Sequence, residues 1–210
     1  MKFVPQSIPE VLLIEPDILG DERGNFSETY RKDMLEKETG YEVNFCQDNE
    51  SKSTRGIIRG LHYQLPPYSQ AKLVRVIEGR VLDVAVDIRK SSSTFGRHVA
   101  IELTSENKYQ LFIPQGFAHG FVTLSSSARF AYKVDNYYSP EHDRGIAYND
   151  KDLSINWKLP EDDLKLSDKD CNHPTLVNSK DIFQLNLKSR EIIQLTKFDD
   201  RPIISSLTYN

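Results

Sequence analysis

The feature that most constrains this chain is a series of short runs at sheet period in its middle third. Leu73 to Ile77 is followed, after Glu78-Gly79-Arg80, by Val81 to Ile88, and then by His98–Leu103, Tyr109–Ile113, Gly120–Leu124 and Ala128–Val134. In the second run Val84, Val86 and Ile88 share one face, while Asp83, Ala85 and Asp87 share the other. Clusters of Gly, Ser, Asn and Pro separate the runs at the spacing of an all-β sandwich or barrel. Strands and helices do not alternate, which excludes a parallel doubly wound sheet. One helix is expected, over Tyr30–Thr39, stopped by Gly40. The expected core is a small antiparallel barrel or jelly roll.

Among 210 residues, 27 Lys+Arg against 31 Asp+Glu give a net charge of −4, which excludes a strongly basic nucleic-acid binder. No apolar run approaches the ~20 residues that cross a bilayer. The Val11–Ile14 run is too short for an export signal, so no membrane partner and a cytoplasmic location are expected, with Cys46 and Cys171 as reduced thiols. From about Asn178 the texture changes: Ile182, Phe183, Leu185, Leu187, Ile192, Ile193, Leu195 and Phe198 follow no clear period. The chain is read as one domain over 1–177 and a C-terminal extension over 178–210.

Glycine-rich dinucleotide and phosphate loops, G-x-S-x-G, H-E-x-x-H and C-x-x-C are all absent from the sequence. The chemistry-bearing residues concentrate in Gln47-Asp48-Asn49, Arg55 to Gln64 and Gln70 to Lys72. Arg55, Arg59 and Lys72 sit among strand-like apolar residues, so some should point into a barrel interior, where buried cations require anionic partners. The site therefore reads as a pocket for phosphate or an oxyanion. His62 stands at its mouth, the side chain type best suited to move protons near neutral pH. Pro114-Gln115-Gly116 followed by His119 is similar to half of the cupin signature; His62-Tyr63-Gln64 replaces the other half. Two isolated histidines are too few for a catalytic metal, and none is expected. Tyr137 and Tyr148 read as core or rim packing, and Asp143 with Arg144 as a surface ion pair.

Taken together, separated segments resemble one family, the dTDP-4-dehydrorhamnose 3,5-epimerases, from near Ile8 to about Leu176. The carriers are Gly20-Asp-Glu-Arg23-Gly24-Asn-Phe26-Ser-Glu28, Gln47-Asp-Asn49, Arg59-Gly-Leu-His62, Lys72-Leu-Val-Arg75, Asp83-Val-Ala-Val-Asp87, Ile113 through Val122, Tyr138-Ser-Pro and Asn149-Asp150. The resemblance implies a mainly β protein, a cupin-like antiparallel jelly-roll barrel with a few short helices. It implies no cofactor and a dTDP-4-keto-6-deoxy sugar as substrate. By the same resemblance His62 is the general base, Asp170 polarises it, Tyr132 is the acid on the opposite ring face, and Lys72 stabilises the enolate. Arg23, Phe26, Glu28, Gln47, Asn49, Arg59, His119, Asp143 and Lys169 contact the nucleotide sugar, and Tyr138 stacks on thymine. A homodimer is implied, with Arg23, Phe26 and Glu28 completing the neighbour's site.

Two departures stand out: Asp143 where many relatives have Glu, and the extension past Asn178. Relatives with the same pair that epimerise one carbon, or act on other 4-keto sugars, form the alternative reading. A catalytically inactive nucleotide-sugar-binding cupin is a third. Strand alternation further suggests that Asp83 orients His119, and a cation near Tyr132 is expected to lower its pKa.

Overall fold

Period-two apolar runs bury one face per strand, and two such sheets solve the problem by packing on each other. The computed structural model describes residues 1–183. Its strands are β1 (Lys2–Pro5), β2 (Leu12–Glu15), β3 (Leu19–Asp21), β4 (Gly24–Phe26), β5 (Gln47–Thr54), β6 (Ile58–Gln64), β7 (Lys72–Glu78), β8 (Arg80–Asp87), β9 (His98–Thr104), β10 (Gln110–Ile113), β11 (Phe117–Thr123), β12 (Ser127–Val134) and β13 (Asp143–Gly145). Among the described residues there are two α-helices, α1 (Lys32–Thr39) and α2 (Asp168–Cys171). One sheet has the order β1-β2-β10-β7-β12-β5 and the other β13-β6-β11-β8-β9, with β3-β4 as a separate hairpin. This is an antiparallel jelly roll of the cupin kind.

Val74, Val76, Leu111, Ile113 and Phe130 of the first sheet meet Val81, Ala85, Leu103, Phe117 and Phe121 of the second in the central core. The outer face of the second sheet is buried as well: Leu82, Val84, Val86 and Val122 pack against Ile146, Leu153, Trp157 and Leu176. That is why β8 is apolar on one face and still carries buried acids on the other, with Asp83 and Asp87 fully shielded. Asp87 is neutralised by Arg89 at 2.7 Å. On the first sheet's outer face, Leu35 of α1 packs with Leu12, Ile14, Leu73 and Phe112.

The helix begins at Lys32, two residues later than its composition suggests, because Arg31 is extended at φ −135°. Gly40 ends it in the left-handed region as expected, its N–H donating to the Glu36 carbonyl. Strand β11 begins three residues before the expected Gly120, directly after the Gly116 turn at φ 88°. Strand β5 is wholly polar and carries no apolar period, yet it pairs with β12 along its full length. Of the extension, only residues 178–183 are described; there Ile182 and Phe183 pack against the outer cluster, and the Asp181 carbonyl accepts from the Tyr63 hydroxyl at 2.6 Å. The remaining apolar residues of that stretch, Leu185 through Phe198, lie outside the described residues.

Among the described residues no helix is long and apolar enough to cross a membrane. Cys46 and Cys171 are both unpaired and exposed.

Candidate active site

Register places the two histidines side by side. On β11 His119 lies opposite His62 of β6, and a bulge between His119 and Phe121 follows immediately. At that bulge the backbones of β6 and β11 touch, which requires Gly60 and Gly120: a β-carbon on Gly120 would stand 2.7 Å from the Arg59 carbonyl oxygen. From the facing sheet, β12 presents Tyr132 opposite Asn49 of β5 and Val74 of β7. Between the sheets opens a cavity of about 610 Å³, within the range of small-molecule sites. His62, His119 and Arg59 line it from one sheet, Asn49, Lys72 and Tyr132 from the other, and Lys169 with Asp170 from α2. His62 and Tyr132 therefore stand on opposite walls.

His62 Nε2 lies 2.6 Å from Asp170 Oδ1. Burial pushes the Asp170 carboxyl up, but the neighbouring His173 and His62 imidazoles and the Ser167 hydroxyl outweigh it and hold it well below the carboxylate range. An ionised carboxylate only accepts, so Nε2 carries the proton and Nδ1 keeps the free lone pair. Ser167 caps α2, accepting from the Asp170 amide at 3.2 Å, and this fixes where Asp170 stands. The pairing has the form that orients a histidine base.

Lys72 is 8% exposed. Burial lowers its ammonium to about 8 against the pull of Asp83 and Asp143, so it is still mostly charged at neutral pH. His119 Nε2 lies 2.8 Å from Asp83 Oδ1, the pairing that strand alternation suggests. Burial lowers the His119 pKa despite that carboxylate. For Tyr132 the expected lowering is not met: burial raises its pKa, and the Arg59 charge only partly offsets this. The phenol thus stays protonated, the state a proton donor needs. Phe121 and Phe130 stack beneath, with ring centroids 4.2 Å apart.

A polar chain forms the rim. Gln47 Nε2 donates to Asn49 Oδ1 at 2.8 Å, its Oε1 accepts from the Tyr138 amide, and the Tyr138 hydroxyl donates to Asp143 at 3.0 Å. Asp143 also pairs with Lys169. Asp143 and Arg144 are therefore not paired side chain to side chain: Arg144 Nε donates to Asp181 at 2.9 Å. Of the three cations, some of which are expected to point inside, Lys72 does. Arg59 is exposed at the cavity's edge, its Nε donating to Ser53 Oγ at 3.0 Å, and exposed Arg55 turns to the Leu124 carbonyl. Arg23, Phe26 and Glu28 are not among the residues lining this cavity. They belong to the β3–β4 hairpin and the segment after it, where Phe26 is 68% exposed and Arg23 pairs with Asp21.

A family model described as dTDP-4-dehydrorhamnose 3,5-epimerase matches residues 5–178. The chain belongs to the dTDP-4-dehydrorhamnose 3,5-epimerase family. Its relatives include the dTDP-4-dehydrorhamnose 3,5-epimerase of Shigella flexneri, 52% identical over 85% of this chain and 98% of that protein. Among solved structures, the epimerase of the same description from Elizabethkingia anophelis is 50% identical, with a TM-score of 0.83 over 86% of this chain and 98% of the other. A dTDP-6-deoxy-D-glucose-3,5-epimerase from Legionella pneumophila, solved with dTDP-4-keto-L-rhamnose, is 45% identical, with a TM-score of 0.83 over 88% and 98%.

One residue of this epimerase-family site escaped the sequence reading. His173 stands 3.4 Å from Asp170 Oδ1. Its only signal was a spacing of three from Asp170; it lies just past the C-terminal end of α2, where the chain leaves the helix at Asn172.

Proposed function

We propose that this protein epimerises C3 and C5 of dTDP-4-dehydro-6-deoxy-D-glucose, giving dTDP-4-dehydro-L-rhamnose, with no cofactor in the step. The observation that carries the reading is the placement of His62 and Tyr132 on opposite walls of one cavity, with Asp170 turning the free nitrogen of His62 away from itself. The C4 ketone of such a sugar acidifies both neighbouring carbons, so proton transfer alone suffices. His62 Nδ1 takes the C–H proton and becomes an imidazolium held by Asp170. The electron pair moves onto the ketone oxygen, where the Lys72 ammonium stabilises it. Tyr132 returns a proton to the same carbon from the other face, inverting it. Once His62 has released its proton to solvent and Tyr132 has regained one from it, repetition at the second carbon completes the reaction.

For the nucleotide, Arg59 and Lys169 at the cavity edge suit the pyrophosphate. Gln47, Asn49, His119 and Asp143 suit the sugar and its linkage, and exposed Tyr138 offers a face for thymine. Arg23, Phe26 and Glu28 reach the site from a second copy of the chain. This makes the working unit a homodimer with exchanged N-terminal hairpins, a low-cost route to a two-fold pair. The domain proposed to do this work spans 1–177, with 178–210 as an appendage. Reduced, exposed Cys46 and Cys171 suit the cytosol.

The test is direct: incubate the protein with dTDP-4-dehydro-6-deoxy-D-glucose and a 4-ketoreductase, and identify the sugar formed. dTDP-L-rhamnose supports the reading; an unepimerised or singly epimerised sugar overturns it. Light scattering at low micromolar concentration should give twice the chain mass, and a fully active monomer would refute the exchange.

A further inference from the structure

His173 has no part in the reaction just described, yet it stands against the reaction's central pair. Its side chain is only 10% exposed, and its Nε2 is buried without a hydrogen-bond partner. That atom faces Asp170 Oδ1 at 3.4 Å, and the same oxygen bonds His62 Nε2 at 2.6 Å. The two imidazoles meet edge to face, with ring centroids 5.6 Å apart and planes at 80°. Room for the His173 ring exists because residue 145 is glycine: a β-carbon there would stand 2.3 Å from Nε2. Gly145 lies opposite His62 in the β13–β6 pairing, so the ring is wedged over the strand that carries the base. Counted from the sequence, His62 had too few partners to hold a metal. The fold supplies two more, and the three ligand atoms lie within 4.8 Å of one another.

We infer that His62, Asp170 and His173 form a binding site for one divalent transition-metal ion, Zn²⁺ foremost, and that its occupation switches off the base. Two imidazoles and a carboxylate suit Zn²⁺, Co²⁺, Ni²⁺ or Cu²⁺ and not the oxygen-seeking Mg²⁺ or Ca²⁺. Ligands at about 2.0–2.1 Å around a tetrahedral ion sit roughly 3.3 Å from one another. The Asp170–His173 pair already has that separation. The His62–Asp170 pair has to open by less than about 1 Å, with the ion replacing the proton between them.

The inhibition follows from tautomer chemistry. A neutral imidazole has one free lone pair. With the ion on His62 Nε2, the ring proton moves to Nδ1, and Nδ1 can no longer take a proton from the sugar. The metal thus removes the base without entering the nucleotide's place. Binding stands independently of the proposed reaction; only its inhibitory effect rests on that reading.

The test uses the untagged full-length protein, cleared of metal with a chelator that is then removed. Zn²⁺ is titrated by calorimetry, Co²⁺ by its visible absorption, and the epimerase rate is followed at rising free Zn²⁺. One ion per chain is expected, with the intense visible bands of four-coordinate Co²⁺ and loss of turnover over the same Zn²⁺ range. His173→Ala should weaken Zn²⁺ binding by at least about tenfold, since even an outer-sphere partner contributes that much. It should also abolish the Co²⁺ bands and raise the Zn²⁺ needed for inhibition by the same factor. A melting curve checks that the variant is folded, and Asp170→Asn provides a second ligand deletion with the same expected loss of binding. His98→Ala, on β9, should leave the affinity unchanged. Equal Zn²⁺ affinity in wild type and His173→Ala, or no binding at millimolar Zn²⁺, would overturn the site. Tight binding through these residues with an unaffected turnover would overturn the switch. A protein that epimerises nothing but binds one Zn²⁺ through His173 would overturn the proposed function and leave the site standing.

Discussion

Asp170→Asn should cripple turnover while leaving substrate binding nearly intact. The carboxylate stabilises the imidazolium formed when His62 takes a proton, and their contact is 2.6 Å. With charge centres about 4 Å apart and an effective dielectric near 20, the attraction is about 4 kcal/mol. His62 is 32% exposed, so solvent screening removes roughly half, leaving about 2 kcal/mol, or about 30-fold in rate. The amide adds a second penalty. Its NH₂ can donate to Nε2, which favours the tautomer with the proton on Nδ1, where no base remains; losses of this kind reach about 10⁴ in hydrolase triads. The expected fall in kcat is therefore about 10²–10⁴, with KM changed by less than a few-fold. A coupled assay with the 4-ketoreductase measures both constants. A variant within tenfold of wild type in kcat, or one that loses only KM, would refute the orienting role.

Lys72→Met should abolish turnover and make the protein more stable. The buried ammonium has its pKa lowered to about 8 from 10.5, so the unfolded chain binds that proton more tightly and the cost of burial is fully present below pH 8. Removing it should gain about 3 kcal/mol and roughly 10 °C in Tm at pH 7. In the wild type that penalty is relieved as pH rises from 8 towards 10.5, and a variant melting no higher than wild type at pH 7 would contradict this. Tyr132→Phe keeps the ring that packs 6.1 Å from Phe130, so Tm should hold within a few degrees while the rate falls at least about 10²-fold; near-normal turnover would remove Tyr132 from the acid role. Gly120→Ala should destabilise by at least about 2 kcal/mol, because its β-carbon would lie 2.7 Å from the Arg59 carbonyl and 2.9 Å from Gly60 Cα; an unchanged denaturation midpoint would show that the strands can part.

The legible parts of the fold were those whose side chains bury carbon. β7, β8, β9, β10 and β12 carry period-two apolar faces because each lies inside a sheet or against the core, and their observed bounds agree with the runs within one or two residues. β5 was not legible as a strand. Its inward residues Asn49 and Ser51 line the cavity, so the pattern that marks it is polar on both faces. Which of the cations turns inward was not legible, since Arg55 and Lys72 have similar sequence surroundings and only Lys72 is enclosed. For the site, motif resemblance named residues that the fold then gathers around one cavity, with the exception of Arg23, Phe26 and Glu28. His173 carried no motif, and its place beside Asp170 is set by the chain just after α2 rather than by any sequence pattern.

The most direct test of the central reading is turnover in deuterated water. An enolate mechanism with the base and acid on opposite walls discards the sugar's own hydrogen and takes its replacement from solvent on the other face. Wild-type protein should place deuterium at both C3 and C5 of dTDP-4-dehydro-6-deoxy-D-glucose, read by mass spectrometry and NMR, and His62→Ala should place it at neither above the uncatalysed background. Label at only one carbon, at neither, or undiminished in His62→Ala would contradict the account.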